Sequence, residues 1–364
     1  MSPTSIPTHQ TAACIDNPSP GATLTIRHDI PVPTPGAGEV LVKLEYTGFC
    51  HSDLHNINGE LVMTTNVPGH EGVGRVVKVG PNTPAEMMGR RMAVQKLHEV
   101  SDMQGAVYEL MFLGHFNVRY LLFHFEKEYS AKNGIEYVVS PANFVSLIPE
   151  DLNPEAVAPL LCAGLTMYGA LSKVEKLYEK GDWVVIMGAG GGLGHLGLQI
   201  GKEMGYKMIA VDSPSKKDIC LASGASAFFD FKDDNLITNI QSLTDGVGAH
   251  ASLIVVGSEK AYEQGVALLR PLGTLVCVGF PRPDFHVPVA PQHCVDSGLR
   301  IIGSAVGTET EMQALLEMAR AGKVSTHYEV FDLEEINDVV ERMRRYAVSG
   351  RAVLRIPERE VARI

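Results

Sequence analysis

Two kinds of hydrophobic pattern divide the chain near residue 182. Before that point, short runs such as EVLVKLEYTG and GVGRVVKVG alternate apolar with polar positions and are punctuated by glycine and proline. Alternation with a period of two is typical of half-buried strands, so the first part is predicted to be rich in β-structure. After that point, continuous apolar runs alternate with stretches of helical character.

The apolar runs of the second part predict the strands of a parallel sheet. Stretches such as GGLGHLGLQIGKEMG separate them, and strands alternating with helices predict βαβ units in which both faces of the sheet are covered. A further helix, TEMQALLEMARAG, is predicted after Thr308. The strand runs are WVVIMG, KMIAVD, AFFDF, SLIVVG, TLVCVGF and RIIGSAVG.

Length, charge and cysteine usage narrow the class of protein. A chain of 364 residues predicts two domains, and its net charge of −11 disfavours nucleic acid and anionic membranes as partners. No apolar run is long enough for a membrane span, and the amino terminus lacks the basic start and apolar core of a signal peptide. The six cysteines are scattered without a CxxC pair, which predicts a reducing, cytoplasmic location.

The stretch GAGGGLG, from Gly188 to Gly194, lies between a predicted strand and a predicted helix. Glycines there allow a tight turn and a close approach of backbone N–H groups to a pyrophosphate. Asp212 ends the next strand, where a carboxylate would accept hydrogen bonds from ribose hydroxyls and repel a 2′-phosphate. Asp212 as an ordinary helix N-cap is the alternative. The combination favours NAD(H), and NAD over NADP.

The stretch from Gly48 to Gly74 concentrates cysteine, histidine and acidic side chains. A catalytic zinc site needs three protein ligands and one open position, and Cys50, His70 and Cys162 are candidates. Free cysteines are also common as small buried hydrophobic residues, and a histidine can be satisfied within a core. Spacing alone leaves both interpretations open.

Four motifs in this order, GFCHSDLH, PGHEGVGRVVKVG, APLLCAGLTMYGAL and GAGGGLG, resemble the zinc-dependent medium-chain alcohol dehydrogenases, especially the tetrameric yeast and fungal type. The likeness extends from about Pro31 to Ile356 except for one segment. It implies an α/β fold: a GroES-like β-rich catalytic domain plus a Rossmann domain with a doubly wound parallel sheet. The implied bounds are residues 1–163 for the first part of the catalytic domain, 164–307 for the NAD-binding domain and 308–364 for the return.

The resemblance also implies roles for particular residues. Cys50, His70 and Cys162 would bind catalytic zinc with Glu71 close behind, Asp53 would hold the histidine ligand, and Ser52 and His55 would relay a proton. The implied activity is that of a zinc- and NAD(H)-dependent alcohol dehydrogenase, or aldehyde or ketone reductase, that is a homo-oligomer, dimer or tetramer. The implied cofactor-binding residues are His51, Gly188, Gly190, Gly191, Gly192, Leu193, Gly194, Asp212, Lys217, Val256, Gly279, Phe280, Val306 and Arg351.

The sequence departs from the family pattern in two places. No cysteine occurs from His98 to Gly134, so the four-cysteine structural zinc site of the family is impossible there and one zinc ion per chain is expected. Where the yeast-type enzymes narrow the substrate pocket with two tryptophans, this chain has Leu61 and Lys96. A smaller side chain at position 61 predicts a substrate bulkier than ethanol.

Two other functions fit parts of the sequence. One is a zinc-free quinone or enoyl reductase of the same superfamily, and the retained Cys50, His70, Cys162 and Asp53 argue against it. The other is a non-catalytic binding protein on a dehydrogenase scaffold, and the intact Ser52 and His55 argue against that.

Overall fold

The computed structural model describes residues 6–61, 63, 65–95, 132–282 and 284–357. Lys96 and most of the segment that departs from the family pattern lie outside the described residues. The chain divides into two compact units, the first comprising Met1–Cys162 and Thr326–Ile364, and the second comprising Ala163–Ser325.

The strands follow the predicted runs in both units. In chain order they are β1 (His9–Cys14), β2 (Thr25–Pro31), β3 (Glu39–Phe49), β4 (Glu71–Val79), β5 (Arg91–Gln95), β6 (Tyr137–Pro141), β7 (Val145–Leu147), β8 (Trp183–Met187), β9 (Lys207–Asp212), β10 (Ala227–Asp230), β11 (Ala249–Ile254), β12 (Leu269–Cys277), β13 (Arg300–Gly303), β14 (Tyr328–Asp332) and β15 (Arg351–Arg355).

The helices of the first unit are short, and the longest helices lie in the second unit. In chain order they are α1 (His51–Ile57), α2 (Pro154–Val157), α3 (Ala163–Glu175), α4 (Gly194–Glu203), α5 (Lys217–Ala222), α6 (Leu236–Leu243), α7 (Glu259–Ala267), α8 (Pro291–Ser297), α9 (Glu309–Arg320) and α10 (Ile336–Arg344). Short 3₁₀ turns occupy Ala85–Met87, Ala142–Phe144, Ala158–Leu161, Pro214–Lys216 and Leu333–Glu335.

A mixed sheet forms the framework of the first unit. Its strand order is β14-β15-β3-β4-β5-β7, and β6 also pairs with β3. The long strand β3 pairs with β6 along its amino half and with β15 along its carboxyl half. Because β15 comes from the end of the chain, this pairing ties residues near 350 to those near 50.

The core of the first unit lies between its strands and α10. The apolar positions of α10, Ile336, Val339, Val340 and Met343, are buried at the spacing of one helical face. They pack in the same apolar cluster as inward-facing residues of β3 such as Val42. This packing fixes the carboxyl end of α10 against the core.

The second unit contains a parallel sheet of strand order β10-β9-β8-β11-β12-β13. Numbered along the unit this order is 3-2-1-4-5-6, that of a doubly wound dinucleotide-binding domain. The buried strands have apolar side chains on both faces because helices cover both, which is why the runs read as continuous in the sequence. The predicted fold class is therefore confirmed.

The unit bounds and the predicted domain bounds differ mainly near the carboxyl end. Helix α9 lies within the second unit, and the chain returns to the first unit at Thr326. Among the described residues, no single helix is long and apolar enough to cross a membrane, and the consecutive helical stretches Pro154–Leu161 and Ala163–Glu175 meet that test only as a bent pair.

Candidate functional site

The turn between β3 and α1 fixes Cys50 as the N-cap of the helix. Its Sγ accepts a hydrogen bond from the backbone N–H of Ser52 at 3.2 Å, and its own N–H donates to Oδ2 of Asp53 at 2.9 Å. These two bonds form a reciprocal capping box in which cysteine replaces the usual serine or threonine. The local sequence therefore already orients the sulfur atom through contacts within the first turn of α1.

Asp53 orients the second candidate ligand. It is fully buried, and its Oδ1 accepts hydrogen bonds from Nδ1 of His70 and from the backbone N–H of Gly69, both at 3.0 Å. Because Nδ1–H donates to the carboxylate, Nε2, which lies 3.4 Å from Cys50 Sγ, is the ring nitrogen left to bind a metal once its proton is lost. The role of Asp53 in holding a metal-binding histidine stays a prediction, and the structure places the two side chains in hydrogen-bonding contact.

Four ligand atoms converge at this point. The side chains of Cys50, His70, Glu71 and Cys162 place their donor atoms within 4.8 Å of one another. Two sulfur atoms, one imidazole nitrogen and a nearby carboxylate are the donor set of a catalytic zinc site with an open position. The predicted metal residues are thus brought together, although Cys162 is distant in sequence from the others.

The ionisation of the two thiols is unequal. A hydrogen bond from the Cys162 thiol holds the pKa of Cys50 well below its usual range, against the effect of burial. The same bond and burial raise the pKa of Cys162. Burial opposes protonation of His70, but the charges of Asp53 and Cys50 raise its pKa well above the usual value. The direction of the Cys50 shift favours its ionised form, the form in which cysteine binds a metal.

Glu71 provides one of the four converging donor atoms and is paired with Arg351. Burial raises the pKa of Glu71 to about 7, while the charge of Arg351 opposes that rise. The Arg351 guanidinium, itself buried, donates a hydrogen bond to Oε1 of Glu71, whose Oε2 has no hydrogen-bond partner among the described residues. Room for the carboxylate comes from Gly48, because a Cβ there would lie 1.8 Å from Oε2.

Arg351 and Gly48 show what sequence analysis missed at this point. The resemblance implied that Arg351 contacts a cofactor, and this stays a prediction. The structure adds a hydrogen bond from its guanidinium to Glu71, 280 residues earlier. Gly48 gave no signal beyond an ordinary glycine in a strand. Neither pairing has a local sequence signature: pairing of β3 with β4 places Gly48 opposite Glu71, and pairing of β15 with β3 brings Arg351 to the same region.

The predicted relay residues share helix α1. Ser52 and His55 are three residues apart, a spacing that puts side chains on the same side of a helix. Nδ1 of His55 is hydrogen-bonded to the carboxylate of Glu60, a partner that sequence analysis did not identify. The exposed ring of His51 stacks on Tyr346, with centroids 5.6 Å apart and an interplanar angle of 24°.

Of the two predicted pocket residues, one lies in the described part. Leu61 follows α1 in a loop held by a hydrogen bond from its N–H to the carbonyl of His55 at 3.3 Å. Its side chain is largely exposed. Lys96 lies outside the described residues.

The glycine-rich turn lies at the carboxyl end of β8 in the second unit. Gly188 has a φ of +87°, and a Cβ on Gly194 would lie 2.4 Å from the carbonyl oxygen of Gly188. A Cβ on Gly190 would meet Lys216 at 2.5 Å. Gly191, Gly192 and Leu193 are half-buried in the turn, which α4 follows. The tight turn has no side chains at these glycines, so a phosphate could approach the backbone at the N-terminus of α4.

Asp212 closes the same turn from the end of β9. Its Oδ2 accepts a hydrogen bond from the N–H of Gly190 at 2.8 Å, and its Oδ1 accepts one from Ser213 at 2.6 Å. Lys217 begins α5 and is exposed. The carboxylate is therefore held beside the glycine-rich turn, at the place where the doubly wound fold contacts an adenosine ribose.

The remaining predicted cofactor residues lie at the carboxyl ends of neighbouring strands. Val256 and Phe280 are exposed after β11 and β12, and a Cβ on Gly279 would lie 2.5 Å from the carbonyl oxygen of Val256. Val306 has a φ of +47°, which is rare for a β-branched residue. Gly169 of α3 accommodates it, since a Cβ there would lie 2.4 Å from the carbonyl oxygen of Val306.

Comparison with known proteins agrees with this geometry. Residues 36–150 match the family described as alcohol dehydrogenase GroES-like domain, and residues 192–321 match that described as zinc-binding dehydrogenase. An alcohol dehydrogenase of Geobacillus stearothermophilus is 39% identical over 88% of this chain and 92% of its own, and one of Moraxella sp. (strain TAE123) is 37% identical over 90% and 94%.

Solved structures extend the likeness. The crystal structure of the alcohol dehydrogenase from Aeropyrum pernix has a TM-score of 0.79 at 28% sequence identity. It covers 95% of this chain and 100% of its own. The similarity therefore spans both units and is not limited to one widespread domain.

Proposed function

Because the chain belongs to the zinc-dependent medium-chain alcohol dehydrogenases, we propose that it transfers hydride between NAD(H) and an alcohol, aldehyde or ketone with one catalytic zinc ion. Membership makes it an oxidoreductase acting on alcohols. The metal, the dinucleotide and the substrate class are the parts proposed.

The observation that carries the proposal is the cluster of Cys50 and Glu71, which are buried, with His70 and Cys162, which are half-buried. Its donor atoms suit zinc, and the hydrogen bonds to Asp53 present the imidazole in the tautomer that a metal ligand needs. Zinc held there would supply Lewis acidity that lowers the pKa of the substrate alcohol. A zinc-free reductase would have no use for a buried thiolate at this place.

The residues of α1 supply the proton path in this proposal. Ser52 follows the ligand Cys50 by two positions and offers a hydroxyl that exchanges a proton with the substrate oxygen. His55 accepts that proton, and the Glu60 carboxylate is hydrogen-bonded to its Nδ1. The same residues return the proton when a carbonyl is reduced.

The second unit would hold the dinucleotide, which accepts or donates the hydride. The glycine-rich turn provides a close backbone approach for the pyrophosphate, and Asp212 provides a carboxylate for the ribose hydroxyls. A 2′-phosphate would meet the negative charge of Asp212, which supports NAD(H) over NADP(H).

The substrate proposed is bulkier than ethanol, and the enzyme is proposed to be a cytoplasmic homo-oligomer, dimer or tetramer. The size argument depends on Leu61, whose side chain is smaller than the tryptophan of the yeast type and would leave a wider pocket. A preference for aromatic, branched or polycyclic aldehydes follows.

Metal analysis combined with turnover tests the proposal. Purified protein should contain one zinc ion per chain and oxidise NADH in the presence of aldehydes. Cys50→Ser and Cys162→Ser should lose zinc and turnover but keep NADH binding, whereas Cys294→Ser, a half-buried cysteine of α8, should keep all three. Turnover without zinc would favour the zinc-free reductase, and NADH binding without turnover would favour a binding protein.

A further inference from the structure

Tyr346 occupies a backbone position that normally takes glycine. It follows the C-cap of α10, where its N–H donates to the carbonyl of Met343 at 3.0 Å and the N–H of Ala347 donates to that of Arg342 at 2.8 Å. These bonds define a Schellman motif, whose first residue beyond the cap is left-handed and usually glycine. Tyr346 has a φ of +54°, so the motif carries a steric cost here.

Packing within the protein does not offset that cost. Tyr346 is 81% exposed, and its hydroxyl has no hydrogen-bond partner among the described residues. Its ring stacks on the imidazole of His51. An exposed side chain in an unfavourable backbone conformation is more consistent with a functional role than with stability.

The position of the stack is set by the preceding residues. Arg344 donates to the carbonyl of Ala22 at 2.9 Å and to Oδ1 of Asn58 at 3.3 Å, and Asn58 is the C-cap of α1. The end of α10 is therefore fixed alongside α1, at whose other end lie His51 and the ligand Cys50. One face of the Tyr346 ring is against the imidazole, and its high exposure leaves surface for a ligand.

We propose that Tyr346, stacked on His51 beside the metal ligand Cys50, binds a planar aromatic ring of a reactant. The inference rests on the proposed function, which supplies two such reactants, an aromatic alcohol or aldehyde and the rings of NAD(H). Offset stacking on tyrosine favours either through dispersion and quadrupole interaction. The histidine holds the tyrosine ring in place and extends the platform toward the cluster.

A paired substitution separates this role from a structural one. Tyr346→Gly removes both the ring and the backbone cost. Asp245→Gly is the matched control, because Asp245 follows the C-cap of α6 with a φ of +58° and is also exposed. Both variants should raise the thermal unfolding midpoint. Tyr346→Gly alone should lower binding or kcat/KM by about fivefold, the size of one aromatic stack, and Tyr346→Phe should retain the wild-type values.

Two measurements identify the ring that is bound. A loss in kcat/KM for benzyl alcohol relative to 1-butanol, with the NADH dissociation constant unchanged, assigns the platform to the substrate. A weaker NADH dissociation constant by fluorescence titration, with an equal loss for both alcohols, assigns it to the dinucleotide. The platform is refuted if Tyr346→Gly has the wild-type NADH dissociation constant and the wild-type kcat/KM for both alcohols. It is also refuted if Tyr346→Phe loses as much binding or kcat/KM as Tyr346→Gly. Absent turnover by the wild-type protein would instead refute the proposed function, and the NADH titration would still test the ring.

Discussion

The Arg351 guanidinium donates a hydrogen bond to the Glu71 carboxylate in the interior of the first unit, within 4.8 Å of the donor atoms of Cys50 and His70. Both side chains are almost fully buried. A buried pair of this kind is sensitive to loss of one partner, because the remaining charge is left without compensation.

Removing Arg351 should therefore destabilise the protein strongly. We expect Arg351→Met to lower the free energy of unfolding by about 3–5 kcal/mol and to raise the pKa of Glu71 further above about 7, since the charge that opposes the effect of burial is gone. Urea denaturation of Arg351→Met, Glu71→Gln and the double variant measures this as a thermodynamic cycle. If the stability losses of the two single variants simply add in the double variant, Arg351 and Glu71 do not interact directly.

The Asp53 carboxylate should set metal affinity through His70. Asp53→Asn keeps the size of the side chain but removes the charge and one acceptor from a group that receives three hydrogen bonds. Affinity for zinc should fall by about 10–100-fold, as for other partners of metal-binding histidines. Competition with a chromophoric chelator measures the loss, and Asp29→Asn, an exposed partner of Arg27, serves as the control. Equal affinities would show that Asp53 is not needed to orient the ligand.

Asn133 packs against the segment that carries His70 and Glu71. It is fully buried, its Nδ2 donates to the carbonyl of Val94 at 2.8 Å, and a Cβ on Gly72 would lie 2.7 Å from its side chain. The next residue, Gly134, donates its N–H to the carbonyl of Pro68 at 2.9 Å. The short segment 133–134 thus contacts the loop on both sides of the ligand histidine.

Asn133→Ala should consequently weaken the metal site as well as the fold. Leaving the Val94 carbonyl unsatisfied should reduce stability by about 1–3 kcal/mol, and the loosened loop should lower zinc affinity. Asn337→Ala is the matched control, because Asn337 also bridges backbone groups, those of Leu24, but lies apart from the ligands in sequence. Similar losses of stability with unequal zinc affinity are expected, and equal zinc affinity in both would show that Asn133 has only a structural role.

The contrast between predicted and unpredicted features has a physical basis. Strands such as Trp183–Met187 can be predicted from the sequence because burial on both faces of the sheet requires a continuous apolar run. The position of Asp212 beside the glycine-rich turn can be predicted because the turn, the strand and the carboxylate are close in sequence. Arg351, Asn133 and Tyr346 act through contacts with Glu71, Gly72 and His51, and each pair is brought together only by tertiary packing. No local pattern encodes such pairs.

Asp212 should control the choice of dinucleotide. Asp212→Gly removes the negative charge beside the glycine-rich turn and the acceptor for the Gly190 N–H, so kcat/KM with NADH should fall by about tenfold or more, while the penalty against a 2′-phosphate is relieved. The ratio of kcat/KM for NADH to that for NADPH should therefore narrow. Asp233→Asn, a loop carboxylate that accepts from the N–H of Asn235, should leave the ratio unchanged. A wild-type preference for NADPH would contradict the role proposed for Asp212.

The side chain at position 61 should set the size of the preferred substrate. Leu61 lies in the loop that follows α1, and its backbone N–H donates a hydrogen bond to the carbonyl of His55, so its backbone is held close to the helix. A small alcohol in a wide pocket samples many orientations, and misplacement by about 1 Å is enough to cost about 100-fold in rate. Leu61→Trp should fill that space and orient ethanol while it obstructs a larger ring. The ratio of kcat/KM for ethanol to that for benzyl alcohol should rise by about tenfold, within the range of discrimination that hydrophobic pockets achieve. Leu177→Trp places the same indole at another exposed leucine and should leave the ratio unchanged. An unchanged ratio in Leu61→Trp as well, or a wild-type enzyme that already prefers ethanol, would mean that residues other than Leu61 close the pocket.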